Sequence, residues 1–149
     1  MSARPDIPAD DAVTIEIDGK PYQARKGAMI IEVADDAGIS IPRFCYHKKL
    51  SVAANCRMCM VEVEKVPKPL PACATPVADG MKIFTKSEIA TGGQKAVMEF
   101  LLINHPLDCP ICDQGGECEL QDLALGYGRD ISRFAEKKRV VKDKYIGPL

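Results

Sequence analysis

The chain has 149 residues, a formal charge of −1 and an ordinary soluble composition, which allows one domain or two small ones and indicates neither nucleic acid nor an anionic membrane as partner. The longest apolar run, residues 97–103, is interrupted by Glu99 and is too short to span a bilayer. The N-terminus is acidic and proline-bearing, unlike a secretory signal or a transit peptide. Seven cysteines without such a signal favour metal ligation in a reducing cytosol over a disulfide framework.

The first part of the chain predicts a hairpin followed by a helix. Alternating apolar side chains indicate a half-buried strand over residues 13–17, and Asp18-Gly19 is typical of a tight turn into a second strand at 22–25. Apolar residues at helical spacing then predict an amphipathic helix over 30–37, ended by Gly38. This order of elements indicates an α+β fold.

The middle of the chain predicts two further strands. Alternation over residues 59–63 turns Cys59 toward the core together with every second residue after it. The proline-rich stretch 65–71 is expected to be a loop, and a last short strand fits residues 81–85.

Helices are predicted in the final part of the chain. A serine N-cap begins a helix over residues 87–103, which Pro106 is expected to end. A short helix is predicted around 120–124, ended by Gly126. The charged segment 129–149 lacks apolar periodicity, and it is expected to be extended on a surface, with a mobile tail as the alternative. The first eleven residues are expected to be a flexible arm.

Four cysteines form a first candidate ligand set in a region that is short of hydrophobic core. They are Cys45, Cys56, Cys59 and Cys73. A structural zinc usually draws on two short hooks, and only one Cys-x2-Cys hook is present, so the set favours a plant-type [2Fe–2S] site over zinc. Small residues at 51–55 allow backbone N–H groups to approach such a cluster. His47 is not expected to be a ligand, because four donors are already available.

A second candidate set falls within residues 105–118, a stretch too poor in apolar residues to order itself. Its donors are His105, Cys109, Cys112 and Cys118. Thiols and an imidazole in one tight loop indicate zinc or an iron–sulfur cluster. Gly115-Gly116 permit positive φ in this loop, and the helix after the last cysteine presents N-terminal amides to an anionic cluster. The histidine follows the C-terminus of the predicted helix, and metal binding requires its neutral form.

Four stretches of the sequence resemble one known family. They are Arg43-Phe-Cys-Tyr-His, Asn55-Cys-Arg-Met-Cys, His105-Pro-Leu-Asp-Cys-Pro-Ile-Cys-Asp and Gly115-Gly-Glu-Cys-Glu-Leu-Gln-Asp. The family is that of the large iron–sulfur subunit of bacterial NADH:quinone oxidoreductase, respiratory complex I. The first cysteine spacing departs from the plant ferredoxin form and fits the complex I variant.

The resemblance implies two cofactors and a division of the chain. It implies a [2Fe–2S] cluster on Cys45, Cys56, Cys59 and Cys73, and a [4Fe–4S] cluster on His105, Cys109, Cys112 and Cys118. The implied fold is α+β, with a ferredoxin-like β-grasp domain over residues 1–86, which includes the [2Fe–2S] loop. A small, mostly helical domain with one histidine and three cysteine ligands follows over 87–128, and an extended tail over 129–149.

The resemblance also implies an electron-relay subunit. A partner flavoprotein would oxidise NADH, other peripheral-arm subunits would complete the assembly, and electrons would pass toward quinone, with no substrate site or catalytic residue on this chain. The implied location is the cytoplasmic side of the inner membrane, without insertion into it. Because the family subunit continues with further cysteine motifs, the chain is expected to be a fragment, a truncated form or a split subunit.

Two other hypotheses remain open at this stage. The same module occurs in soluble NAD-linked hydrogenases and formate dehydrogenases, so the resemblance does not fix the complex. A zinc-binding structural or nucleic-acid-binding module is the alternative of another class, which the single Cys-x2-Cys hook in each set and the near-neutral charge disfavour.

Overall fold

The computed structural model of the chain describes residues 11–140 and residue 147. The strands in this part are β1 (Ala12–Ile17), β2 (Lys20–Arg25), β3 (Met60–Val63), β4 (Leu70–Pro71) and β5 (Lys82–Phe84), and the α-helices are α1 (Ile30–Asp36), α2 (Glu88–Leu102) and α3 (Glu119–Tyr127). Single 3₁₀ turns occur at Ala72–Ala74 and Cys109–Ile111. Of the predicted N-terminal arm, the structure describes only residue 11. Of the predicted tail, it describes residues 129–140 and residue 147.

The five strands form one mixed sheet in the order β2-β1-β5-β3-β4. β5 pairs in parallel with β1 and antiparallel with β3, and the two outer pairings are antiparallel. One face of the sheet and the inner face of α1 enclose the core, whose fully buried members include Ile15, Ile17, Ile31, Val61 and Ile83. The predicted α+β class is confirmed.

The hairpin forms where the sequence predicts it. Ile17 pairs with Lys20 across a turn in which Asp18 and Gly19 have φ of 49° and 80°. These left-handed conformations give the turn the twist that suits a two-residue hairpin. The Asp18 carboxylate also accepts hydrogen bonds from Thr85, at 2.7 Å from the backbone N–H and 2.5 Å from the hydroxyl. The turn is therefore attached to the end of β5.

Helix α1 begins with a capping interaction and ends at a glycine. The Glu32 carboxylate accepts a hydrogen bond of 2.8 Å from the Met29 N–H, one of the donors that an isolated helix start leaves unsatisfied. Gly38 has a φ of 72° and follows the C-cap Ala37, so the helix ends at this glycine as predicted. The buried side chains of α1 lie on the face toward the sheet, so α1 covers the core.

Helix α2 connects the sheet to the rest of the chain. The Ser87 hydroxyl accepts a hydrogen bond of 3.2 Å from the Ala90 N–H, which confirms the predicted N-cap. Buried Gln94 donates its side-chain amide to the Met60 carbonyl of β3 at 3.0 Å. The N-terminal half of α2 therefore lies against β3, while Phe100 near the other end is 74% exposed.

Two boundary predictions were wrong. Residues 70 and 71 form the edge strand β4, although the sequence predicted a loop there. An edge strand tolerates Pro71 because one row of its backbone groups has no partner strand, so the missing N–H costs no hydrogen bond. Helix α3 continues through Gly126 to Tyr127. Its end is set by Gly128, whose N–H bonds to the Ala124 carbonyl at 2.9 Å and where an added Cβ would lie only 2.4 Å from that oxygen.

Candidate metal centres

The edge of the sheet brings two cysteines of the first set together. Cys59 immediately precedes β3, and Cys73 lies in the 3₁₀ turn that follows β4. Met60 pairs with Pro71 between these strands, and the Ala72 N–H bonds to the Cys59 carbonyl at 2.9 Å. Both cysteines are 1% exposed. The strand pairing therefore fixes two thiols side by side at the margin of the core.

The other two cysteines of the first set are held by a loop that wraps back on itself. The Cys45 sulfur accepts hydrogen bonds from the backbone N–H groups of Asn55 and Cys56, at 3.4 Å and 3.3 Å. Ala54 and Arg57 have φ of 48° and 60°. A left-handed conformation costs a non-glycine residue about 1–2 kcal/mol, and such strain collects at functional sites. The loop thus directs its N–H groups toward sulfur, as a cluster-binding loop must.

The four thiols of the first set influence one another electrostatically. Burial, a hydrogen bond with Cys59 and the charges of the neighbouring thiolates raise the pKa of Cys73 to about 12. Burial also acts to raise the pKa of Cys56, but backbone N–H groups directed at its sulfur, among them that of Met58, bring it below the ordinary thiol value. Four thiolates this close repel each other, so full ionisation requires a cationic centre between them.

A charged pair anchors the beginning of this loop. The two terminal nitrogens of Arg43 donate to Oδ2 and Oδ1 of Asp35, at 2.6 Å and 2.5 Å respectively. That hydrogen bonding raises the pKa of Arg43 above its ordinary value. The guanidinium also lies 5.6 Å from the centroid of the Tyr46 ring, and burial of this tyrosine raises its pKa. Arg43 therefore ties the loop before Cys45 to helix α1.

The second candidate set lies at the surface. His105, Cys109 and Cys112 are exposed and Cys118 is half-buried. His105 follows the end of α2, Cys109 begins a 3₁₀ turn, and Cys118 is the N-cap of α3. Backbone hydrogen bonds connect this loop, including Cys112 N–H to the Cys109 carbonyl at 3.3 Å. The predicted donors thus lie in one loop between two helices, but no hydrogen bond joins their side chains within residues 105–118.

A glycine makes the second loop possible. A Cβ at Gly115 would lie 2.7 Å from the Cys109 carbonyl oxygen and 3.1 Å from that of Cys112. The next residue, Gly116, has a φ of 92°. The first glycine therefore allows the chain to pass close to its own backbone, and the second allows the left-handed turn that the sequence predicts.

The donor chemistry of both sets fits iron–sulfur clusters. The first set offers soft thiols with backbone N–H groups directed at sulfur, and the second offers three thiols, an imidazole and the N-terminus of α3. Within the described part of the chain, no three His, Cys, Asp or Glu side chains converge at the spacing of a single metal ion. Cluster donors are spread over several iron atoms and need not converge so closely.

Other polar residues near the two sets have structural contacts of their own. The His47 ring accepts a hydrogen bond of 3.2 Å from the Lys49 N–H through Nδ1.

Sequence reasoning missed two residues that join the segment after α3 to the end of α2: Lys138 donates to carbonyl oxygens there, and the Asn104 side chain accepts from the Arg139 N–H. These contacts join residues about 35 positions apart in the sequence, so no local sequence pattern predicts them.

Comparison with protein families identifies the class of the chain. Residues 10–88 match the model of the 2Fe-2S iron-sulfur cluster binding domain. Residues 94–133 match the NADH-ubiquinone oxidoreductase-G iron-sulfur binding region, a [4Fe–4S] family. The chain belongs to the family of 2Fe-2S iron-sulfur cluster binding domains, and it carries one [2Fe–2S] and one [4Fe–4S] binding region. Both predicted cofactors are confirmed.

Comparison with individual proteins shows which iron–sulfur subunits the chain resembles. The chain is 59% identical over 137 residues to the NADH-ubiquinone oxidoreductase 75 kDa subunit of Reclinomonas americana, covering 92% of this chain and 20% of the relative. It is 56% identical to the mitochondrial NADH dehydrogenase [ubiquinone] iron-sulfur protein 1 of Solanum tuberosum (94% and 19% covered) and 54% identical to an NADH-quinone oxidoreductase subunit of Rickettsia felis (92% and 20%). The resemblance to the large iron–sulfur subunit is confirmed, and the chain spans about a fifth of the length of these relatives.

A solved structure agrees with the fold. The chain is similar to a chain in the crystal structure of an NAD+-reducing [NiFe]-hydrogenase in the H2-reduced state, with a TM-score of 0.72 and 28% identity. The similarity covers 85% of this chain and 55% of the hydrogenase chain.

Among the helices that the structure describes, none combines the length and apolar character needed to cross a membrane.

Proposed function

We propose that the chain is an electron-relay region of an NADH:quinone oxidoreductase, the part of the large iron–sulfur subunit that holds its first two clusters. The observation that carries the proposal is that both matched iron–sulfur regions lie in series on one chain, and that the second is the NADH-ubiquinone oxidoreductase-G type. The names of the relatives support the same assembly. When bound, each cluster accepts and releases one electron at a time.

The ligand assignment is part of this proposal. The first set, Cys45, Cys56, Cys59 and Cys73, would hold the [2Fe–2S] cluster. The second set, His105, Cys109, Cys112 and Cys118, would hold the [4Fe–4S] cluster. The contacts around Cys45 and the shared burial of Cys59 and Cys73 support the first assignment. The close backbone approach at Gly115 and the position of Cys118 at the start of α3 support the second.

The proposed division of the chain is supported by the two matched regions, residues 10–88 and 94–133. We place a ferredoxin-like domain over residues 1–86, the domain with one histidine and three cysteine ligands over 87–128 and an extended tail over 129–149. The role of the protein in the first domain is to exclude water from Cys59 and Cys73 and to supply N–H groups to sulfur. In the second domain, His105 follows the end of α2 and Cys118 is the N-cap of α3, and the loop between the two helices carries Cys109 and Cys112.

The partners are proposed from the same relatives. A flavoprotein that oxidises NADH would be the electron donor, and other peripheral-arm subunits would be neighbours, with the chain on the cytoplasmic side of the inner membrane. The similarity to a chain of an NAD+-reducing [NiFe]-hydrogenase favours a second candidate, the same relay in a soluble hydrogenase. Co-purification of the chain with membrane-bound or with soluble subunits distinguishes the two.

The test begins with metal analysis of the protein purified under anaerobic conditions. One cluster of each type gives about six iron atoms per chain and a brown colour. Paramagnetic resonance of the reduced protein should show two distinct centres. A colourless protein with stoichiometric zinc would contradict the proposal.

Substitution of the histidine tests the second ligand set. We expect His105→Cys to retain the four-iron signal with altered g-values and a lower midpoint potential, because a thiolate adds one negative charge to the ligand set. The two-iron signal serves as the control and should not change. A four-iron signal identical to that of the unmodified protein would show that this histidine is not a ligand.

A further inference from the structure

The segment that follows α3 turns back along α2, and we call residues 129–140 the strap. Arg133 donates to both carboxylate oxygens of Glu99 on α2, through Nε and a terminal nitrogen, at 2.6 Å each. Arg129 approaches the same carboxylate at 3.4 Å. Hydrogen bonding from Arg133 lowers the pKa of Glu99. Two strap arginines thus converge on one helix carboxylate.

Farther along, the strap reaches the C-terminus of α2. The Lys138 ammonium donates to the carbonyl oxygens of Leu102 at 2.6 Å and Ile103 at 3.1 Å. The Arg139 N–H donates to the Asn104 side chain at 2.9 Å. The last carbonyls of a helix lack partners within the helix and carry partial negative charge. The last turn of α2 contains no basic residue, so Lys138 supplies the cation that the helix itself lacks.

The same carbonyl connects Lys138 to the proposed ligand. The Leu102 oxygen that accepts from the lysine also accepts a hydrogen bond of 3.2 Å from the His105 N–H. One oxygen therefore lies between the ammonium and the peptide that carries the histidine. Removal of the ammonium would free this carbonyl to move, and the backbone of residue 105 would move with it.

We propose that Lys138 is a positioning residue for the four-iron centre: it fixes the end of α2 from which His105 projects and contributes a positive charge beside that centre. This inference rests on the proposed function, since it takes His105 as a ligand. Lys138 acts through the helix end and does not itself touch the donor atoms. Glu99 and Asn104 hold the strap in the register that brings the lysine to the carbonyls.

The proposal predicts an effect on the potential as well as on order. Reduction adds a negative charge to a cluster, so a neighbouring cation favours the reduced form. A single charge near a solvent-exposed centre acts through water and salt, which weaken its effect, so its loss should lower the ratio of reduced to oxidised centre roughly threefold at a fixed potential. For a one-electron couple this is a downward shift of about 30 mV, at 59 mV per tenfold change.

The experiment compares three variants of the protein loaded with both clusters. Lys138→Met removes the charge and keeps the length of the side chain, and Lys138→Arg keeps the charge. Lys137→Met is the matched control, because it removes the same charge one residue earlier from an exposed side chain. Redox titration followed by paramagnetic resonance gives the midpoint potential and g-values of each centre, and the two-iron signal reports the integrity of the first domain.

The expected result is a lower potential and altered four-iron g-values in Lys138→Met alone, with Lys138→Arg close to the unmodified protein. Loss of the four-iron signal in Lys138→Met, with the two-iron signal retained and Lys137→Met fully loaded, also supports positioning. Equal changes in both Met variants, or no change in either, would overturn the inference. These outcomes are separate from a failure of the proposed function, which His105→Cys and the iron content report.

Discussion

The first cysteine region is built into a buried core, whereas the second lies on the surface between two helix ends. Cys59 and Cys73 are each 1% exposed and are attached to paired strands. In the 3₁₀ turn Cys109–Ile111 and in α3, by contrast, no residue is buried. The first loop would keep much of its shape without iron, because sheet hydrogen bonds and apolar burial hold its two ends.

This difference shows two ways of preparing a cluster site in one chain. In the first, folding brings the thiols together in a buried place, and burial, the hydrogen bond with Cys59 and the neighbouring thiolates together raise the pKa of Cys73. In the second, the backbone supplies a tight glycine loop and the helix ends, and the cluster must supply the remaining order. Iron is expected to stabilise the second region more than the first.

The largest expected effect follows removal of iron by an anaerobic chelator. Amides of residues 105–128 should exchange hydrogen almost as fast as in an unfolded chain, because little burial holds them. Amides of β1 and β5 should remain protected by the core. Hydrogen exchange followed by mass spectrometry measures both in one sample. Equal loss of protection in both regions would remove the proposed distinction between them.

Substitution of one thiol in each ligand set tests whether the two sets are independent of each other. Cys59→Ser removes a buried donor from the first set, and we expect it to abolish the two-iron signal while the four-iron signal remains. Cys112→Ser is the matched variant and should have the opposite pattern. Paramagnetic resonance and iron content give the result. If either variant lost both signals, the two sets would not be independent.

A smaller effect is expected where α2 meets the sheet. Gln94→Ala removes a buried side chain and leaves the half-buried Met60 carbonyl without its side-chain partner, which should lower the free energy of unfolding by about 1–3 kcal/mol. Lys95→Ala, at an exposed position on the same helix, is the control and should be close to neutral. Denaturant unfolding of the two variants measures the difference. An equal stability of both variants would show that this contact does not hold α2 to β3.

The smallest effect is expected at the start of α2. Ser87→Ala removes the acceptor for the Ala90 N–H and should cost about 1 kcal/mol. Ser87→Asp should restore most of this stability, because aspartate is an equally good N-cap. Thermal unfolding monitors the change, and both cluster signals should be unaffected. A change in either cluster signal would mean that the start of α2 affects the geometry of the cluster sites.

Local features of the sequence predicted most of the elements. The alternation before Asp18-Gly19 and the turn itself predicted the hairpin, and the N-cap Ser87 predicted the start of α2, because each signal lies within a few residues of its consequence. The alternation around Cys59 correctly indicated that its side chain is buried. The spacing of the donors, joined to the family resemblance, was enough to name two ligand sets.

Contacts between distant residues could not be predicted in this way. The two-residue strand β4 depends on its pairing with β3 and has no periodicity of its own, and Gly126 does not end α3 because Gly128 provides the turn. The N–H groups around the Cys45 sulfur depend on left-handed backbone at Ala54 and Arg57, residue types that give no such signal. The contact of Lys138 with the end of α2 likewise requires the folded chain.

The position of β5 has a consequence for synthesis. Among the strands that the structure describes, β5 comes last along the polypeptide and yet lies between β1 and β3. A ribosome releases the chain from its N-terminus, so every thiol of the first set emerges before Lys82, where β5 begins. Iron delivered to the nascent chain would meet an open sheet. The sheet that carries Cys59 and Cys73 can therefore be completed only after residue 84 has left the ribosome.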